Sequence, residues 1–399
     1  MLDAALETDG IGPSAFSEAL AADWAARHDE IADQLSGARV LVVGAAGTIG
    51  AATVRTLLSF APARLELVDV DENGLARLAR DIRSRGVDAA IGFNALDFAS
   101  FPGLALAAAA GPFDLVLNFA AVKHVRSEKN LFTLLHMIDV NVVRQQRFAA
   151  RLAAHGLARR HFVVSTDKAA DPASFMGATK ALLEAAVFAE SEQVPRASAA
   201  RFANVAYSSG SLLESYLQRF AAGQALAAPK DTRRYFISAR AAARICLLAQ
   251  LTCPAGRIAI PKFESASDAV ELADTAAAFL KSHGRRAVFV KDAAEAAERA
   301  GRPGPDYPVL LTPRDTAGEK EIEVFRGVGE TAEPLGLTAL EGVMPAPLDR
   351  ALLTAALAEL AALVCGQRTA TLADVEAAIG RVLPSFRHVA AEARLDDRI

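Results

Sequence analysis

Cysteine is scarce: Cys246, Cys253 and Cys365 are the only three in 399 residues, with no CxxC pair and no metal-ligand spacing among them. Such an odd, scattered set excludes a disulfide framework, fits a reducing compartment and leaves no metal site to expect. A block of one charge is missing as well. The 43 Lys and Arg are spread along the chain against 47 Asp and Glu, for a net charge of -4, so nothing marks a nucleic-acid partner. Long apolar runs are also lacking, since the most apolar window, Leu104 to Val122, is broken by Gly111, Pro112 and Asp114. No membrane span is expected. The opening MLDAALETDG has neither the basic start nor the apolar stretch of an export signal. The expectation is a soluble, cytoplasmic protein whose partners are small molecules or further copies of itself. Tyrosine is rare too. Tyr207, Tyr216, Tyr235 and Tyr307 are followed four places on by Ser211, Phe220, Ala239 and Leu311, so the chain has no Tyr-xxx-Lys pair.

What the chain does have is an alternation of short apolar strands with Ala/Leu-rich helical stretches. From Ala38 the strand-like runs are ARVLVVG, RLELVDV, AAIGF, DLVLNFA, HFVVST and ASAARFANV. Strands and helices alternating at this spacing imply a parallel sheet covered on both faces. The fold class expected is α/β, a Rossmann-like doubly wound parallel sheet with a smaller C-terminal substrate lobe and flanking helices. The chain exceeds the roughly 250–300 residues that one core usually serves, so divisions are expected. Residues 1–37 read as a helical arm with Phe16, Leu20, Trp24, Ile31 and Leu35 at helical spacing. Residues 38–206 read as the dinucleotide-binding domain, 207–344 as the lobe with the short strands GRIAIP and YPVLL, and 345–399 as a helical extension. Packing or self-association is the role expected of the two helical ends.

In ARVLVVGAAGTIGAATVRTLL, Gly44, Gly47 and Gly50 stand between a strand and a helix, with Thr48 and Ile49 at the helix start. Glycines there permit a tight turn and the close approach of a pyrophosphate, whose charge is met by the N–H groups of the helix N-terminus. The second strand ends in VDVDE, so Asp69 comes nineteen residues after Gly50, where a ribose-binding acid belongs. Asp69 and Asp71, with no arginine between them, favour a free ribose 2′-hydroxyl and hence NAD over NADP. Asn94, after the third strand, is a candidate for the adenine. Small Ala120 and Ala121, after the fourth, would let the cofactor pass close to the backbone.

The fifth strand runs into STDKAADPASFMGATK, residues 165–180. Ligands of open parallel sheets lie at the carboxyl ends of the strands, so Ser165, Thr166, Asp167 and Lys168 are candidates to face that crevice. If Met176 to Lys180 forms the first turn of the next helix, the two share one face by their i, i+4 spacing. Lys180 then reaches the ribose and Met176 faces the substrate, although a thioether is neither acid nor base. Together with GAAGTIG, NFAAVKHV, RFANV, TRRYF and TAGEKEIE, this stretch makes the chain resemble the extended short-chain dehydrogenase/reductases from about Ala38 to Val328. It resembles in particular the polysaccharide-biosynthesis nucleotide-sugar 4,6-dehydratases. STDKA followed by MGATK is similar to the UDP-N-acetylglucosamine branch that carries methionine for tyrosine. Lacking that branch's N-terminal membrane helices, the chain looks more like the soluble dehydratases of the legionaminic acid type, whose nucleotide is UDP or GDP.

The resemblance implies an NAD-dependent hydro-lyase acting on UDP- or GDP-N-acetylglucosamine. Hydride leaves C4 for NAD, the 4-ketone acidifies C5–H, water is lost across C5 and C6, and hydride returns to C6. That route needs a base at C5 and an acid at the C6 hydroxyl side by side. By the resemblance Asp167 is the acid and Lys168 the base, with Thr166 or a water held by Asp167 taking the C4 hydroxyl proton. Lys123 and Ser165 are implied near the sugar, His124 and Asn141 as structural. Asn204, Ser209, Gly210 and Ser211 are implied at the diphosphate, Arg234 at a phosphate or the base, and Glu319 and Glu323 at the nucleotide's ribose or base. TAGEK departs from the family, where Arg-Pro usually precedes the glycine. A homo-oligomer is implied as well. A nucleotide-sugar 4-epimerase and a non-catalytic NAD-bound scaffold stay open as alternatives. The Asp-Lys pair weighs against the first, and the intact Thr166, Asp167, Lys168 and Lys180 set against the second.

Overall fold

The computed structural model describes residues 14–86, 89–124, 128, 130–190, 196–202, 204–263, 268–313, 322–384 and 386–388. Glu319 lies outside the described residues. Helices α1 (Ser14–Ala26) and α2 (His28–Leu35) come first, then β1 (Arg39–Val43), α3 (Thr48–Leu58), β2 (Arg64–Asp69), α4 (Glu72–Ser84), β3 (Ala90–Ala95) and α5 (Phe101–Ala110). Next come β4 (Leu115–Asn118), α6 (Leu131–Ile138), a π turn (Asp139–Val143), α7 (Arg144–Ala154), β5 (Arg160–Thr166), a 3-10 turn (Asp167–Ala169), α8 (Phe175–Glu190) and β6 (Arg196–Phe202). Local chemistry sets these bounds. In α4, for example, Asp71 caps the first turn by accepting the Gly74 N–H at 2.9 Å, and Leu75, Leu78 and Ile82 recur on the buried face.

The second half continues with β7 (Asn204–Val205), α9 (Leu212–Ala221), β8 (Leu226–Pro229), β9 (Arg233–Arg234), β10 (Phe236–Ile237), α10 (Ala239–Leu251), β11 (Arg257–Pro261) and β12 (Val270–Glu271). It ends with α11 (Leu272–Ser282), β13 (Arg286–Val290), α12 (Ala293–Ala300), β14 (Asp306–Thr312), β15 (Thr331–Pro334), β16 (Leu340–Met344), α13 (Arg350–Val364) and α14 (Leu372–Val382).

The central sheet has the order β15-β16-β11-β6-β5-β4-β1-β2-β3. Every pairing from β3 to β11 is parallel, and β16 and β15 close the edge antiparallel. The expected α/β doubly wound sheet is the fold. Its strand order reverses between β1 and β4, where an open sheet leaves a crevice at the strands' carboxyl ends. One grouping is corrected. GRIAIP, assigned to the lobe from sequence, is β11 and pairs with β6, because its Ile258, Ala259 and Ile260 are buried in the central sheet. YPVLL belongs to β14 in the separate sheet β13-β14-β8.

Both helical ends pack within the chain. Phe16, Leu20, Ile31 and Leu35 enter the same core as β1 and α10, and Asp23 accepts the N–H groups of Thr338 and Ala339 at 2.8 and 2.7 Å. Leu353, Leu360, Val375 and Ile379 of α13 and α14 bury against Leu134, Phe175 and Leu182. Among the described residues no helix is long and apolar enough to cross a membrane.

Candidate active site

At the β1/β4 reversal the glycine-rich turn opens onto a cleft of about 880 Å³ whose lining includes Gly44, Gly47, Thr48, Asp69, Ala120 and Ala121. Gly44 has φ +74°, and a Cβ there would stand 2.8 Å from the Phe119–Ala120 backbone; one at Gly50 would overlap the Gly44 carbonyl. Helix α3 therefore sits directly on the turn. A Cβ on Gly47 would meet only the Gly44 oxygen, at 3.4 Å, which leaves this side of the helix N-terminus open to a phosphate. The Asp69 carboxylate is held in the cleft by the N–H groups of Ala46 and Asp71, at 2.9 and 3.0 Å. Asp71 is the α4 cap and carries Arg77 at 3.3 Å. Gly50, Lys180, Ile49 and Asn94 stand apart from the cleft lining; Ile49 packs against the core, and the Asn94 amide donates to Glu66 within the sheet at 2.9 Å.

One strand over, β5 delivers the STDKA stretch. Thr166 Oγ1 donates to Asp167 Oδ1 at 2.6 Å, and Lys168 Nζ donates to Asp167 at 3.1 and 3.3 Å. Asp167 is buried, whereas the Lys168 side chain is 37% exposed, so this ion pair faces outward from a fixed carboxylate. Ser165 Oγ is buried and has no hydrogen-bond partner among the described residues. Helix α8 puts Met176 and Lys180 on one buried face. Lys180 Nζ donates to the Val164 carbonyl at 2.7 Å, and burial lowers its pKa to about 8 against the pull of Glu184. Gly177 makes this approach possible, because a Cβ there would overlap the Lys168 carbonyl. Asn141 ties the loop after β4 to the same helix, exchanging bonds of 2.8 and 2.9 Å with the Val122 backbone and donating to Thr179 at 3.1 Å. At the start of α8, Glu128 accepts the Phe175 N–H; burial raises its pKa to about 7 against bonds from Phe175 and Met176.

The residues expected at the nucleotide divide into two groups. Ser209 N–H donates to Thr48 Oγ1 at 3.2 Å, so the 207–211 loop meets the glycine-rich turn. Ser211 caps α9 through the Glu214 N–H at 3.2 Å, and Gly210 has φ +73° with the His124 ring where a Cβ would lie. Lys123 is exposed as a residue, yet desolvation of its ammonium lowers its pKa, with Glu214 opposing. Asn204, Arg234 and Glu323 turn inward instead. Glu323 accepts from Asn204 Nδ2 at 2.6 Å and from the Tyr235 N–H at 3.0 Å, with Arg234 Nε at 3.6 Å. Burial and then the Asp167 charge raise its pKa to about 7, against Lys168, the Tyr235 N–H and Arg234. These three therefore share one electrostatic cluster with Asp167 and Lys168. Sequence reasoning passed over Gly177, Glu128 and Tyr207. Tyr207 lines the cleft at φ +54°, a left-handed backbone that nothing in its residue type announces; the glycine of MGATK was the one legible signal.

Residues 40–324 match the family described as polysaccharide biosynthesis protein. The chain is 31% identical over 232 residues to an uncharacterized membrane protein of Methanocaldococcus jannaschii, covering 57% of this chain and 67% of that one. It is 26% identical over 238 residues to the capsular polysaccharide biosynthesis protein CapD of Staphylococcus aureus, covering 57% of this chain but only 38% of that relative. Among solved structures, Pen from Bacillus thuringiensis matches with a TM-score of 0.63 at 17% identity, covering 78% of this chain and 89% of that one. The Bordetella bronchiseptica enzyme WbmF, in complex with NAD+ and UDP, matches with a TM-score of 0.54 at 16% identity, covering 76% and 88%. Both share the Rossmann-like fold.

Proposed function

The chain belongs to the polysaccharide biosynthesis protein family, and from that premise we propose that it is an NAD-dependent 4,6-dehydratase of UDP- or GDP-N-acetylglucosamine. The observation that carries this reading is the hydrogen-bonded pair of Asp167 and Lys168 beside Thr166, with buried Met176 where a tyrosine would handle the C4 proton. An acid and a base side by side suit elimination across two adjacent carbons. The glycine-rich turn and Asp69 suit a dinucleotide with a free ribose 2′-hydroxyl, and the NAD+ and UDP bound in WbmF support the same pairing of ligands.

NAD, when bound, would be held by the glycine-rich turn and Asp69 and would supply a reversible hydride acceptor. Asp167 receives the C4 hydroxyl proton through Thr166 and gives it to the departing C6 hydroxyl, while Lys168 accepts the C5 proton and returns it to C5 as the hydride reaches C6. Thr166, which fixes the Asp167 carboxylate at 2.6 Å, presents the hydroxyl that meets the C4 oxygen. Lys180, buried beneath the turn, supplies a positive charge toward the cofactor ribose. Ser209, joined to Thr48, closes the diphosphate side. Incubation of the purified protein with UDP- and GDP-N-acetylglucosamine, read by mass spectrometry, tests the reading. Loss of one water from either sugar is expected; an isobaric product would make the protein an epimerase, and no turnover with NAD retained would make it a scaffold.

A further inference from the structure

The opening turn of α8 is fitted tightly to the acid and base just described, since a Cβ on Gly177 would stand 2.3 Å from the Lys168 carbonyl oxygen. Met176 lies on the same turn. What fixes that turn in place comes from two distant parts of the chain. Resting on the dehydratase reading, we propose that Glu128 and His388 are positioning residues that hold this turn, and with it Met176, against Asp167 and Lys168.

Three observations carry the assignment. First, a helix opens with N–H groups that have no partner inside it, and Glu128 takes two of them here. Its Oε2 accepts the Phe175 N–H, and the Met176 N–H bonds the same carboxylate. The next, on Gly177, goes to Ser174 Oγ at 3.2 Å. A carboxylate at this end also meets the positive pole of the helix. Second, Glu128 is itself enclosed, with 3% of its side chain exposed and Oε1 without a hydrogen-bond partner among the described residues. His388 Nε2 stands 3.9 Å from Oε2, so the imidazole is part of the wall that keeps water from the carboxylate. Third, the C-terminal segment is seated on the ring between them. The His388 and Phe386 rings lie 4.4 and 5.4 Å from that of Phe175, and Phe386 is buried in the core that α13 and α14 share with α8. Both residues lie outside the stretch 40–324 that carries the family match. The C-terminal extension thus serves the reacting corner. Lys180, one turn further along α8, has its own anchor on the Val164 carbonyl. Loss of the clamp therefore misplaces Met176 and leaves the cofactor end of the helix seated.

The test is kcat for water loss in Glu128→Ala, Glu128→Gln and His388→Ala, measured per molecule of NAD-loaded protein. Misplacing reacting groups by about 1 Å costs about a hundredfold, and Glu128→Ala is expected to lose about that factor. In His388→Ala, where the carboxylate stays, the expected fall is about tenfold. NAD affinity stays within about twofold in both. Glu128→Gln keeps an oxygen for the two N–H groups and is expected to bring kcat back to within about fivefold of wild type. A kcat within about twofold of wild type in His388→Ala, or a Glu128→Gln no better than Glu128→Ala, overturns the proposal; should Glu128→Ala not fold, His388→Ala decides. Amide exchange read by NMR needs no turnover. In His388→Ala the Phe175 and Met176 amides are expected to exchange about tenfold faster, while the amides of β5 keep their wild-type rates. Unchanged exchange at both amides, or equal acceleration throughout α8 and β5, overturns the proposal even if neither sugar reacts. Absent dehydration alone overturns only the reading beneath it.

Discussion

The cofactor cleft and the corner around Asp167 lie at adjacent strand ends, yet they are assembled differently. In the cleft, partners are close in sequence: Asp71 caps its own helix three residues on, and Asp69 holds Ala46 from the neighbouring βα unit. In the corner, Glu323 bonds Asn204 from 119 residues away and Tyr235 from 88. Exposure follows the same division, with 51% of the Asp71 side chain open against 4% for Glu323. A carboxylate in the first setting is a local cap. In the second, low dielectric and a like charge turn it into a group that titrates near neutrality.

If the corner alone carries the proton chemistry, the two regions separate by mutation. Asp167→Asn and Lys168→Met are each expected to lower the rate of water loss by about a thousandfold, roughly 4 kcal/mol of barrier. NAD affinity, read by fluorescence titration, stays within a few-fold, because the cleft is lined by other residues. Activity within tenfold of wild type in both variants would remove the acid and base from these positions.

The reverse cut is Gly50→Ala. Its Cβ would overlap the Gly44 carbonyl, so helix and turn must part, at an expected cost of about 3 kcal/mol and with loss of NAD binding. Thermal unfolding and cofactor titration check both. An unchanged melting temperature would mean the turn relaxes freely and does not define the cleft.

The same contrast decides what the sequence revealed. Glycine punctuation, strand periodicity and the Asp69 spacing are local marks, and the β1–β6 order with its cleft follows from them. GRIAIP was misgrouped because a five-residue apolar strand carries no record of which sheet it joins. Asn204, Arg234 and Glu323, expected at the nucleotide, are gathered by the fold into one buried polar cluster, a grouping that no local mark in the sequence announces. Tyr207 was passed over for a related reason, since a left-handed backbone at a non-glycine residue is imposed by its surroundings.

Lys180 sits on the boundary between the two regions, and its effect is on stability. Burial lowers its pKa from the ordinary 10.5 to about 8 in the folded chain, so folding buries a charge below pH 8. Between about pH 8 and 10.5 the unfolded chain binds more protons, and stability must rise with pH. Relative to Lys180→Met, the wild type should gain about 3 kcal/mol over that window, measurable by urea denaturation at a series of pH values. A constant difference between the two proteins would show that Lys180 meets a compensating charge in the fold.

The smallest effect is the one that defines where the cleft ends. Asn94 occupies the position from which sequence assigned it to the adenine, but its amide is engaged by Glu66 at 2.9 Å within the sheet. Asn94→Ala removes two partly buried hydrogen bonds, to Glu66 and to the Leu67 carbonyl, and is expected to cost about 1 kcal/mol of stability, with the NAD dissociation constant unchanged within twofold. If the constant instead rises tenfold while stability holds, the amide leaves Glu66 to meet the adenine. The cleft would then extend one strand further than its lining, and the local legibility that separates it from the corner would reach Asn94 as well.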